Sequence, residues 1–382
     1  MDKVRIGVIG TGGMGSGHCA SMDQIDEAEL TAVCDIEPEV VKSVSEQHGV
    51  PGFERAEELL DSGLVDAVII ATPHYFHPQY AIEAFKRGIH VLSEKPIAVT
   101  VSAADEMIEA AEQSRCKFGV MYQMRALGRV KAARKIVEDG LLGEIYRTSQ
   151  VVGWYRSQAY YDSGGWRATW TGEGGGVLIN QAPHFLDIYT WLAGLPVRVT
   201  GQTRTRLHDI EVEDEAFATL EYANGGHGYL YASTTESPSH EMLEICGDKG
   251  KLVMHGSSLK HFQVTPGVRA HSAEATEMWG GPEVEEIPIE IPAGDGIHSE
   301  ITQNFCRSIL FDEPLLSPGA EGINAVEMIN AVILSGHSGK PVDVPVDRAA
   351  YDSLLAILRG GSSVKTTVRE QRVTDQHYAG TN

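Results

Sequence analysis

Val4-Arg5-Ile6-Gly7-Val8-Ile9-Gly10-Thr11-Gly12-Gly13-Met14-Gly15 is the stretch that decides how this chain folds. A short apolar run ends in glycines spaced GxGxxG, and helical spacing follows over Met14–Gln24. That order is a buried strand, a tight turn and a helix. Gly10 permits the turn, Gly12 lets backbone approach a pyrophosphate, and Gly15 lets helix and strand pack closely. The helix start, with Gly13 and Met14, offers unpaired N–H groups and a positive dipole to phosphate. A lone GxGxxG is weak, and Asp35 strengthens it. It ends the second strand, Leu30–Cys34, 20 residues beyond Gly15. An acid there can accept bonds from the adenosine ribose hydroxyls; the bland alternative is a strand-end turn aspartate. Its neighbours Ile36, Glu37 and Pro38 supply no arginine for a 2′-phosphate, so NAD is expected over NADP.

Strand and helix alternate onward. Helices are expected at Ala56–Asp61, Ala81–Lys86 and Ser102–Ser114, with strands at Ala67–Ala71, His90–Leu92 and Lys117–Val120. Alternation of this kind predicts the doubly wound parallel sheet of a Rossmann domain over 1–124. Beyond it, helices at Val130–Asp139 and His184–Leu192 flank strand-like runs. These are Ile145–Val152, Arg198–Thr205, Glu215–Tyr222, Gly228–Thr235, Glu241–Cys246 and Lys251–His255. Short turns such as Asn224-Gly225-Gly226 join several of them, which suggests antiparallel pairing. Helices return at Ser299–Leu310 and Gly319–Ser335. The expectation for 125–365 is an α+β domain with a large open, mostly antiparallel sheet, serving substrate binding and oligomerisation. Residues 366–382 form a polar tail.

The chain carries 31 Lys+Arg against 53 Asp+Glu, a net charge of -22 over 382 residues. So acidic a surface repels phosphate backbones and anionic lipid, so neither nucleic acid nor membrane is an expected partner. Five scattered cysteines without a CxxC read as reduced thiols of a cytoplasmic protein. The sequence runs directly into a strand, with no signal peptide and no apolar run that would span a bilayer.

At Ser93-Glu94-Lys95-Pro96 something more specific appears. An EKP after a strand, some eighty residues past the glycine turn, resembles the glucose-fructose oxidoreductase/inositol dehydrogenase (Gfo/Idh/MocA) family. Ala71-Thr72-Pro73 with His77 resembles that family's third-turn cofactor contact, although His74 stands where asparagine is usual. Trp166-Arg167, Gly174-Gly175-Gly176 and Asn180-Gln181-Ala182-Pro183-His184 resemble its catalytic-helix segment. The run from Tyr160 to Arg167 looks most like the levoglucosan dehydrogenase branch. The resemblance covers nearly the whole chain. It implies NAD-dependent oxidation of a secondary hydroxyl of a sugar or glucoside-like polyol, typically at C3. Inositol is the main rival substrate. It also implies a cis Lys95–Pro96 bond, a homodimer or homotetramer, and cofactor contacts from Thr72, Pro73, His77, Glu94, Lys95 and Gln123.

The chemistry needs a proton acceptor and something to stabilise negative charge on oxygen. Lys95, at the carboxyl edge of the sheet, can supply the charge; by itself it would read as a solvated loop lysine. His184 can take the proton, near neutrality and beside a helix start that disfavours imidazolium. Asn180 is four residues earlier, where one helix face would carry both; if Pro183 opens the helix near Ala182, that geometry is only approximate. Asparagine takes up no proton, so its role is to orient a hydroxyl. Asp187 is either the acid that orients His184 or a helix-surface charge. Tyr122, Trp154 and Arg167 are expected around the substrate. The cluster Trp154, Tyr155, Tyr160, Tyr161, Trp166 and Trp170 offers sugar-stacking faces, most of them destined for the core. Neither His74/His77 nor His208/Asp209 makes a metal set, and none is expected. Two other classes stay open: an NAD-sensing regulator without catalysis, and an enzyme that uses NAD transiently to cleave a glycosidic bond.

Overall fold

The structure is a computed structural model that describes residues 2–365 and 368. All but Val368 of the polar tail at 366–382 lies outside the described residues.

The first sheet contains β1 (Val4–Ile9), β2 (Ala28–Cys34), β3 (Gly52–Phe53), β4 (Ala67–Ile70), β5 (His90–Ser93) and β6 (Phe118–Val120). Their order is β3-β2-β1-β4-β5-β6, and every neighbouring pair is parallel. Val4, Ile6, Val8, Val68 and Ile70 are fully buried, because a parallel sheet covered by helices on both faces needs continuous apolar strands. Strand order reverses between β1 and β4, so the carboxyl ends of these strands open the crevice in which such sheets bind ligands.

A second sheet follows: β7 (Ile145–Tyr155), β8 (Arg198–Arg204), β9 (Glu215–Glu221), β10 (His227–Ser233), β11 (Thr235–Gly247), β12 (Gly250–His255), β13 (Ser258–Thr265), β14 (Glu283–Ile287) and β15 (Val342–Asp343). Its order is β14-β13-β12-β11-β7-β10-β9-β8-β15. The pairs are antiparallel except β7 with β10, which run parallel. A parallel pair needs a long crossover. The 71 residues between Tyr155 and His227 provide it and include the helix Pro183–Ala193. In β8, β9 and β10 buried and exposed residues alternate, so one face is core. The helices Pro183–Ala193 and Gly319–Ser338 cover that face.

Two features depart from the sequence reading. The helix His298–Phe311 returns to the first sheet, where Ile301, Phe305 and Cys306 join Val4, Ile6 and Val8 in one core. The helices Pro38–His48 and Arg348–Gly360 and the strands β13, β14 and β15 were not anticipated. Strand β14, Glu283–Ile287, is largely exposed and carries three glutamates, so its apolar signal is faint.

Candidate active site

The glycine turn follows from sterics. Gly10 sits at φ +87°, and a Cβ on Gly15 would lie 1.8 Å from the Gly10 carbonyl oxygen. Above Gly12 and Gly13 a Cβ would meet nothing within 4 Å, so the turn faces open space at the start of the helix Gly13–Ser21. Met14 is exposed beside it. The Thr11 and Thr72 hydroxyls, from adjacent turns, are buried without partners. Unpaired N–H groups, two orphaned hydroxyls and an open cradle fit a dinucleotide.

Asp35 accepts the Thr11 N–H at 2.8 Å on Oδ2 and the Glu37 N–H at 3.1 Å on Oδ1. It therefore shapes the glycine turn. Asp35→Ala is expected to raise KM for NAD about tenfold or more, since hydrogen bonds to charged groups contribute about 1.5–3 kcal/mol. It should also narrow the preference over NADP. Steady-state kinetics with both cofactors checks this, and a wild-type preference for NADP would overturn the assignment.

His77 is fully buried, with Nδ1 2.9 Å from the Pro96 carbonyl and Nε2 2.8 Å from the Thr72 carbonyl. Both contacts are to acceptors, so a neutral ring donates to one of the two carbonyls at a time. The ring lies between Thr72 and the Lys95–Pro96 turn. Pro73 leads the short helical turn His74–Phe76, and buried His74 is tied by Nδ1 to the Glu173 carbonyl at 3.0 Å. Glu94 is likewise spoken for. Its Oε1 lies 2.8 Å from His18 Nε2, and its Oε2 accepts the Lys95 N–H at 3.1 Å. Burial alone would raise the Glu94 pKa, but the His18 bond and the nearby charges bring it to about 2. Gln123 has a buried Oε1 without a partner.

Lys95 follows β5, joined to Pro96 by a cis peptide bond. Its Nζ donates to the Asn180 carbonyl at 3.1 Å. Burial lowers its pKa despite Glu94 and Glu173 nearby. Asn180 ends one short helix, Val177–Asn180, and His184 is the second residue of the next, Pro183–Ala193. They are not on one continuous helix face; Pro183, with no N–H to give, marks the break. His184 Nδ1 is buried and unpartnered. Burial first, and the Lys95 charge second, pull the His184 pKa down to about 3. That places its titration below the neutral range expected from the sequence, and burial and Lys95 favour the neutral ring.

Tyr122 packs edge-on against the His184 ring, with centroids 5.9 Å apart. It is fully buried with an unpartnered hydroxyl, so it backs His184 and presents no surface to a ligand. Asp187 fits neither expectation. It is 1% exposed and forms a two-pronged pair with buried Arg125, at 2.8 and 2.6 Å. Trp154 donates its indole N–H to Glu241 and packs edge-on against Phe185, next to His184. Arg167 donates to the Tyr160 hydroxyl at 2.6 Å and lies over the Tyr160 and Trp166 rings.

Two carboxyls escaped the sequence reading. Glu173 is 1% exposed, and burial raises its pKa to about 7 against the pull of Arg167, Ala168 N–H, Lys95 and Asn180. Glu213 accepts the N–H groups of Gly176 at 2.9 Å and Leu178 at 3.1 Å, and burial raises it also to about 7. The first could have been suspected from its place between Gly172 and Gly174, where a lone acid interrupts a glycine run. Among the described residues no group of three or more His, Cys, Asp or Glu is arranged to hold a metal ion, and no helix is long and apolar enough to cross a membrane.

Comparison with known proteins agrees with this architecture. Residues 4–122 match the model described as an oxidoreductase family with an NAD-binding Rossmann fold, and residues 130–253 match the GFO/IDH/MocA C-terminal domain. A 2,7-anhydro-N-acetylneuraminate hydratase of Escherichia coli is 30% identical over 281 residues, 68% of this chain and 73% of that protein. The WlbA dehydrogenase from Bordetella pertussis, solved with NADH and UDP-GlcNAcA, superposes with a TM-score of 0.76 at 28% identity, over 90% of this chain and 100% of that one. Levoglucosan dehydrogenase, solved with NADH and L-sorbose, shares the fold at a TM-score of 0.77 and 21% identity, over 91% and 100%. With a cofactor domain and a C-terminal domain matched in order, and a relative aligned over most of its length, this chain belongs to the Gfo/Idh/MocA family of NAD-binding oxidoreductases.

Proposed function

We propose that this protein oxidises a secondary hydroxyl of a sugar or glucoside-like substrate, with C3 of a pyranose or of an anhydrosugar such as levoglucosan foremost. The supporting observation is that the Lys95 ammonium bonds the Asn180 carbonyl and is, after burial, the strongest influence lowering the His184 pKa, beside a turn that fits NAD. When bound, NAD accepts the carbinol hydride. Lys95 donates a hydrogen bond to the carbinol oxygen, whose negative charge grows as the C–H bond breaks. His184 takes the hydroxyl proton on a neutral ring nitrogen, leaving a carbonyl. Asn180 orients a neighbouring hydroxyl, Trp154 and Arg167 flank the sugar, and Tyr122 fixes the imidazole from behind. Five free cysteines accord with a reducing, cytoplasmic setting.

A screen of glucosides, anhydrosugars and inositols for NADH formation tests this. The hydratase relative favours one second reading, in which NAD is reduced and reoxidised within a single turnover. That reading gives a hydrated or free sugar with no net NADH. Oxidation of an inositol in preference to every glucoside would overturn the substrate assignment.

Assembly belongs to the same reading. On the sheet face away from the covering helices, Phe217 and Tyr229 are 38% and 41% exposed on adjacent strands. Exposed aromatic surface on an open sheet marks an interface. A homodimer or homotetramer is expected by light scattering, and Phe217→Asp with Tyr229→Asp should shift it toward monomer. A wild-type monomer at micromolar concentration would refute this.

A further inference from the structure

Glu173 is placed to govern Asn180. Its Oε1 receives the Asn180 Nδ2–H group, and its Oε2 receives the Ala168 N–H at 2.5 Å. Ala168 is one of three non-glycine residues with positive φ among those described, at +56°, and follows Arg167 directly. Such a conformation persists only where the surroundings hold it, and the Glu173 bond is one such hold. Arg167 itself lies 3.7 Å from Glu173 Oε1. One buried carboxylate thus joins the loop carrying Arg167 to the amide of Asn180, whose backbone carbonyl holds Lys95.

The donors decide the amide's orientation. With both NH₂ and backbone N–H aimed at Glu173, the carboxyl must accept twice, which a carboxylate does without conflict. The Asn180 Oδ1 then points away, with no partner among the described residues, as an acceptor for a substrate hydroxyl. A proton on Oε1 directed at the amide would set O–H against N–H. The amide would turn over, giving its carbonyl to Glu173 and its NH₂ to the substrate.

We propose that Glu173 is a positioning residue that, when ionised, fixes the Asn180 amide with its carbonyl toward the substrate hydroxyl, and that its protonation inverts that polarity. This rests on the assignment of Asn180 to substrate orientation. Burial raises Glu173 to about 7, so the inversion falls in the neutral range. The charged and titratable groups around it include Lys95 after β5, Arg167 in the preceding loop, Tyr160, whose hydroxyl lies 3.4 Å from Asn180 Nδ2, Tyr161 on Gln158–Tyr161, His74 bonded to its carbonyl, and Glu213 ahead of β9. Of these, His74 is held well below its usual range and Tyr161 above it, so neither titrates near neutrality. Glu213 does, and is separated from Glu173 by its own variant.

With any substrate found active, kcat/KM should rise through neutrality with a one-proton slope and level off. Glu173→Gln should flatten that limb and raise KM about tenfold, the scale of one hydrogen bond to a charged group, with kcat changed less. Glutamine must turn its carbonyl to Ala168 N–H and its NH₂ to Asn180, mimicking the protonated state. Glu173→Asp should restore part of the slope; Glu213→Gln should leave it. Adding Glu173→Gln to Asn180→Ala should raise KM no further, since both act through one amide. In the NAD-free protein, infrared difference spectra across neutrality should show a carboxyl band that Glu173→Gln removes. That readout stands even if no sugar is oxidised, which would instead sink the dehydrogenase assignment. A neutral limb that survives in Glu173→Gln, additive KM effects, or an unchanged carboxyl band would overturn the proposal.

Discussion

Lys95→Ala is expected to lower kcat by about 10²–10³, the usual loss on removing one donor to a developing oxyanion, while NAD affinity changes little. The ammonium stands at the carboxyl edge of the parallel sheet, and Glu94, on its N-terminal side, is engaged by His18 and not by Lys95 Nζ. The glycine turn and Asp35 hold their geometry without it. Its effect is concentrated on the step in which oxygen gains charge, so it belongs to kcat. Part of the loss is offset. The Lys95 charge helps hold His184 at about 3, so removing it lets the imidazole titrate higher and become a better base. Lys95→Arg should recover little, because a planar guanidinium is larger and presents its donors as a fork. Turnover measured beside NAD binding by fluorescence quenching checks this. Weakened NAD binding with kcat intact would reassign Lys95 to the cofactor.

The elements legible in the sequence were those whose signal is local and repeated. Val4–Ile9 and Ala67–Ile70 are continuous apolar runs because both sheet faces are covered, and the spacing of Gly10, Gly12 and Gly15 states its own steric purpose. The Lys95 and His184 positions came from short motifs that stayed together in the chain. What escaped depends on contacts between distant residues. Nothing near Asp187 announces that Arg125, 62 positions earlier, will neutralise it in the core. The parallel pairing of β7 with β10 depends on a 71-residue excursion, whereas hairpin turns between later strands are visible locally. Glu173 escaped for a related reason: its neighbours are glycines, and its partners Ala168 and Asn180 matter only once the loop folds over the short helix. The motif around His77 shows nothing of its surroundings either: the fold sets its ring between the carbonyls of Thr72 and Pro96.

His184→Ala is expected to cut kcat by about 10²–10⁴, the range for loss of a general base, and its pH dependence separates it from Glu173. With a pKa of about 3, His184 is neutral and able to accept a proton at every pH above that value. Protonation removes the base only as pH falls through about 3, so His184 produces no inflection in kcat/KM near neutrality. The neutral limb assigned to Glu173 should therefore persist in the residual activity of His184→Ala, displaced downward and unchanged in midpoint. The low pKa also says what kind of base this is. Burial and Lys95 oppose imidazolium, so the proton is held only briefly and leaves once the carbonyl has formed. The alanine variant leaves a gap beside Tyr122, whose ring packs edge-on there. Added imidazole should enter that gap and restore turnover in proportion to its neutral form. Tyr122 is a poor substitute, since burial holds its hydroxyl well above the usual range. Near-normal turnover in His184→Ala, with the same pH profile and no response to imidazole, would move the proton acceptor to Lys95.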